Sequence, residues 1–149
     1  MVNAVLTASR LLIAVSARSL AAVEEALTLP QFRMLVILST RGQLSLSALA
    51  AELDVQPSTA MRMIDRLVAA NMATRTTPPD NRRTTVISLT RAGRTTVTKV
   101  TAKRRSEIAR IVGAMPAEQR RDLITALQTF TEAGAEPSAR DTGTSHLGW

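Results

Sequence analysis

Residues 45–71, SLSALAAELDVQPSTAMRMIDRLVAAN, constrain this chain more than any other stretch. Two short segments carry apolar residues at three-to-four spacing, and each is bounded by helix signals. Ser45 stands where an N-cap is wanted, and Leu46, Leu49, Ala50 and Leu53 then fall on one side. After Asp54-Val55-Gln56 a second segment opens at Pro57, whose missing N–H costs little in a first turn. It closes at Asn71, a residue that tolerates the left-handed conformation. Two short helices joined by about four residues, each with one apolar face, form a helix-turn-helix.

The flanks agree with a mainly helical fold that keeps one small β-hairpin. Residues 3–27 repeat apolar side chains (Val5, Leu12, Leu20, Val23, Leu27) as a long amphipathic helix with a broad apolar face. Thr28 and Gln31 have capping-box spacing with Pro30 in the first turn, and that helix should stop at Gly42. Met72–Thr76 and Thr84–Leu89 read as strands joined by TPPDNRR, in which Pro78-Pro79 bars pairing and Asp80-Asn81 favour a turn. Thr90 then caps a helix of roughly 20 residues through Val112. Met115-Pro116 interrupts it, and Leu123, Ile124, Leu127 and Phe130 line one side of a last helix. From Gly134 the chain is rich in Gly, Ser, Thr and Pro and is expected to be a disordered tail.

Composition narrows the function. There is no cysteine, and the single histidine, His146, lies near the C-terminus, so a Cys/His metal site or thiol chemistry is not expected. Carboxylates are scattered without an acid/base pair, which argues against an enzyme. No apolar run approaches the roughly 18 residues of a membrane span, and no leader is evident, so a cytoplasmic protein is expected. Of the net +7, twelve Lys/Arg against three acids lie between Gln56 and Arg110, while the remainder holds seven against nine. Either a polyanion binds this segment, or it is a merely solvated basic surface.

In a helix-turn-helix the second helix presents its N-terminal residues to the DNA major groove. With Ala60, Met63, Ile64 and Leu67 facing the core, Pro57, Ser58, Met61, Arg62, Asp65 and Arg66 face outward. Arg62 suits guanine O6 and N7, while Ser58 and Thr59 suit backbone phosphate. The competing reading has Arg62 and Arg66 pairing with Asp65. Arg82 and Arg83 at the hairpin tip have the form of a wing whose arginine enters a narrow minor groove, with Asp80 orienting one guanidinium. Otherwise they only guard an exposed edge. The broad face of the first helix and the Leu123–Phe130 stripe have no obvious place inside one compact lobe. They are expected to bury against a second copy, the alternative being packing within one chain.

The stretches LTLPQFRMLVIL, LSLSALAAELDVQPSTAMRMIDRLVAANMATR and DNRRTTVISLTRAG together resemble the MarR family of winged helix-turn-helix regulators. That resemblance implies one domain over residues 1–134, with a winged helix-turn-helix lobe at 28–90 and dimerisation helices at 3–27 and 91–134. It also implies a homodimer on double-stranded DNA bearing a pseudo-palindromic operator, with Ser58, Thr59 and Arg62 at the major groove, to which the outward helix face adds Met61 and Arg66. Asp80, Asn81, Arg82 and Arg83 would form the wing, with Arg83 at the minor groove. Val5, Leu12, Leu20, Leu123, Leu127 and Phe130 would join the protomers. A repressor released by a small anionic or aromatic effector, without metal or cofactor, is the expected function, with Arg10, Arg18 and Arg33 as anion partners. A winged-helix protein-interaction module without operator binding is the alternative. Two positions depart from the family pattern. Asn81 stands where an Asp is usual and cannot form an ion pair, and Asn71-Met72-Ala73 replaces Gly-Leu-Val.

Overall fold

The computed structural model describes residues 1–24, 26–79 and 84–134. Six helices and three short strands follow in the order α1 (Val2–Ala21), α2 (Leu29–Arg41), β1 (Leu44–Ser45), α3 (Leu46–Glu52), α4 (Pro57–Ala69), β2 (Ala73–Thr76), β3 (Val86–Leu89), α5 (Arg91–Gly113) and α6 (Ala117–Ala133). The strands form one antiparallel sheet in the order β1-β3-β2.

Helix ends follow local chemistry. Thr28 Oγ1 accepts the Gln31 N–H while the Gln31 side chain accepts the Thr28 N–H at 2.9 Å, so the capping box is complete. Gly42 ends α2 at φ 79°, a conformation that suits glycine. Ser45 Oγ accepts the Ala48 N–H at the start of α3. Thr90 Oγ1 accepts the Gly93 N–H at 2.9 Å and donates to the Asn71 carbonyl at 2.7 Å, which ties the start of α5 to the end of α4. Gly93 packs directly on this joint. A Cβ built there would lie 2.1 Å from the Met72 carbonyl oxygen, so no larger residue fits without a backbone shift.

The core is aliphatic. Phe32, Met34, Leu35 and Leu38 of α2 meet Leu49, Ala60, Ile64, Leu67, Ile87, Val97 and Val100. Fully burying one such side chain contributes roughly 1.5–3 kcal/mol relative to leaving it exposed.

Four expectations are corrected. The first helix ends at Ala21 rather than near residue 27, and Val23 and Leu27 pack on the core from the connection that follows. Leu20, assigned to the dimer face, is only 2% exposed and belongs to the protomer's own core, because the second half of α1 lies against α5 and α2. A third strand, β1, joins the hairpin by pairing Leu44 with Ile87 and Ser45 with Val86. Finally, α1 is long and apolar enough to cross a membrane by length and composition alone, since Arg10 and Arg18 are its only charges. Its Val15 and Leu20 are nonetheless buried inside the fold.

Candidate nucleic-acid interface

The two helices of the helix-turn-helix are set by matching stops. Asp54 adopts φ 53° after α3, with the Val55 N–H bonded to Ala50 O and the Asp54 N–H to Ala51 O. Asn71 adopts φ 57° after α4, with the Met72 N–H bonded to Leu67 O and the Asn71 N–H to Val68 O. Both are Schellman closures, with short polar residues in place of glycine. They fix where α4 begins and where the chain turns into β2.

Helix α4 is sharply two-sided. Ala60, Ile64 and Leu67 are buried, while Ser58, Arg62, Asp65 and Arg66 are exposed on the opposite side. Thr59 and Met61 are half-buried. Met63, expected in the core, is only half-buried and packs at its edge. The competing pairing of Asp65 with Arg62 or Arg66 does not occur, because Asp65 is bonded to Arg75 on β2. Among the described residues, no hydrogen bond or ion pair holds Arg62 or Arg66. A guanidinium so placed keeps its planar fork available for a carbonyl, a ring nitrogen or a phosphate. The expected wing residues Asp80, Asn81, Arg82 and Arg83 lie outside the described residues.

Of the remaining site residues, Val5, Leu12, Arg33, Leu123, Leu127 and Phe130 line a cleft of about 1030 Å³ bounded by α1, α2, the turn between α3 and α4, α4, α5 and α6. Val5 and Leu12 of α1 line it together with Leu123, Leu127 and Phe130 of α6. Val5 is 39% exposed and Phe130 57%, and α6 contributes no buried residue to the chain at all. Among the described lining residues, Arg33 and Arg104 are the charged side chains. Of the three arginines suggested for an anion, only Arg33 lines the cleft. Arg18 is paired with Glu107 at 3.3 Å, and Arg10 is exposed outside the lining. Sequence reasoning did not single out Arg104, which is hidden in the basic run 103–105. Its partial burial holds the guanidinium pKa below the ordinary value.

Residues 27–85 match the profile of the MarR family. The RV1404 protein of Mycobacterium tuberculosis is 53% identical over 93% of this chain and 94% of its own, with a TM-score of 0.84. This chain belongs to the MarR family of transcriptional regulators. The YusO protein of Bacillus subtilis is 27% identical over 89% of this chain and 95% of its own, with a TM-score of 0.75. The Staphylococcus aureus MepR F27L mutant bound to an oligodeoxyribonucleotide is 16% identical, covers 88% of this chain and 95% of its own, and has a TM-score of 0.69. At that identity the likeness speaks for the fold alone. No curated protein matches the chain. Two of the stretches that resemble the family have physical reasons. Leu89-Thr90-Arg91-Ala92-Gly93 holds the Thr90 cap and the glycine that fits against Met72, and Leu27-Thr28-Leu29-Pro30-Gln31 holds the capping box of α2.

Proposed function

We propose that this MarR-family chain is a homodimeric repressor that reads a pseudo-palindromic operator in double-stranded DNA and leaves it when a small anionic or aromatic ligand binds. The observation that carries the DNA reading is the outer face of α4. There Ser58, Arg62 and Arg66 stand exposed, both guanidiniums unengaged among the described residues, on a helix fixed at both ends by the turns at Asp54 and Asn71. Arg62 reads a guanine edge, Arg66 and the hydroxyls of Ser58 and Thr59 hold phosphate, and Met61 makes apolar contact at the groove. The wing residues Asp80 to Arg83 add the minor-groove contact. The MepR F27L mutant, whose structure holds an oligodeoxyribonucleotide, shares the fold.

Dimerisation rests on α6. A lone helix of this length is marginal in water, and stability must come from burying a face. The exposed Leu127 and Phe130 of α6, with Val5 and Leu12 of α1, provide that face for a second copy. Such a partner also roofs the cleft. A ligand enclosed there meets apolar walls with Arg33 and Arg104 for its anionic group and Phe130 for an aromatic ring. Met63 of α4 forms part of the same wall, so filling the cleft bears directly on the recognition helix.

Selection of bound sites from random duplexes tests the reading. An inverted repeat with half-sites roughly one helical turn apart is expected, and affinity for it should fall steeply with salt. Absence of any sequence preference at low ionic strength would overturn it in favour of a protein-interaction module.

A further inference from the structure

Strand β2 carries an arginine where its neighbours predict an apolar residue. The ladder sets Ala73 opposite Leu89 and Arg75 opposite Ile87, and directly opposed residues share a face of the sheet. Leu89 and Ile87 are buried, so Ala73 and Arg75 lie on the inner face, while Thr74 and Thr76 lie on the outer one. Helix α4 packs on β2 at this inner face. Arg75 is 36% exposed, and its Nη2 donates to Oδ1 of Asp65, the one carboxylate of α4. Two oddities thus account for each other. An inward-facing cation on a strand meets a lone anion on a helix surface that is otherwise basic or neutral.

We infer that Arg75 is a positioning residue for DNA recognition, acting through Asp65 rather than on DNA itself. The inference rests on the DNA reading given above. The pair has two consequences for that reading. It neutralises Asp65, which sits three residues from Arg62 and beside Arg66, where an unpaired carboxylate would repel the phosphates that those arginines approach. It also joins the middle of the recognition helix to the strand that leads into the hairpin. The pair thus adds a polar tie to the packing of α4 on β2. An exposed pair contributes little to stability, so the effect is expected in binding and not in folding.

A double-mutant cycle on the full-length protein decides it, using the duplex selected above, a salt series and thermal melts. Arg75→Ala and Asp65→Ala should each weaken binding roughly tenfold, which corresponds to about 1.4 kcal/mol. The double variant should be no weaker than the worse single one, Arg75→Lys should recover most of the loss, and the dependence of affinity on salt should keep its wild-type slope. Were Arg75 instead a phosphate contact, Asp65→Ala would tighten binding, and Arg75→Ala would lower the salt slope by about one. Either result overturns the inference, as does simple additivity of the two substitutions. A wild-type protein that binds no duplex would defeat the DNA reading itself, and this assignment with it.

Discussion

Helix α4, 13 residues long, buries Ala60, Ile64 and Leu67 inside its own lobe, whereas α6, with 17 residues, buries none within the chain. Both are amphipathic, yet one satisfies its apolar face locally and the other leaves Ile124, Leu127 and Phe130 more than half or half exposed. Helix α1 divides between the two behaviours along its length. Val15, Ser16, Ser19 and Leu20 are buried, while Val5, Leu6, Leu11, Leu12 and Ile13 are exposed. The difference separates helices whose apolar faces close on one shared core from terminal helices that leave apolar faces exposed. A lobe whose helices are fixed by two Schellman turns, a capping box and the Gly93 contact can present α4 rigidly. Apolar residues of α1 and α6 that stand open to water form the kind of patch that marks an interaction site, and the dimer proposed above would cover it.

Three variants separate the halves. Replacing Leu127 and Phe130 together by Glu is expected to leave the lobe folded but give a monomer. Operator affinity should fall by about a hundredfold or more once the second half-site no longer binds at high effective concentration. Light scattering and a binding titration read both effects, and a variant that stays dimeric would show that the dimer interface lies elsewhere. Gly93→Ala acts where α5 meets the lobe instead. Its methyl group collides with the Met72 carbonyl, and strain of this kind destabilises by about 3 kcal/mol at the upper end. The midpoint of urea unfolding measures it, and an unchanged midpoint would mean that the α4–α5 joint yields without cost. Arg62→Ala should alter neither oligomeric state nor stability, because the side chain is exposed and makes no bond among the described residues. It should cost roughly 2 kcal/mol at the preferred site and relax the base preference there, as seen by repeating the selection.

Local features of the sequence translated well into structure. Thr28 with Gln31, Ser45, Pro57 and Thr90 all stand at helix starts, because a cap is decided by residues within one turn. What depends on distant partners was less legible. Strand β1 is two residues long and exists through pairing with β3, about forty residues away, which no local pattern announces. The Arg75–Asp65 pair depends on strand register, and register cannot be read from the residues of β2 alone. Leu20 fits the apolar repeat of α1 as well as Leu12 does. Only the packing of α5 against one half of that helix separates them. The positive φ of Asp54 also went unforeseen, though an Asp just after a short helix is a known way to close it.

The most direct test of the account is the mass of the protein with and without a duplex carrying the selected site, by sedimentation or native mass spectrometry. Two chains free in solution, and the same two on one duplex, are predicted. A single chain in solution that binds the site one copy at a time, at independent half-sites, would contradict it.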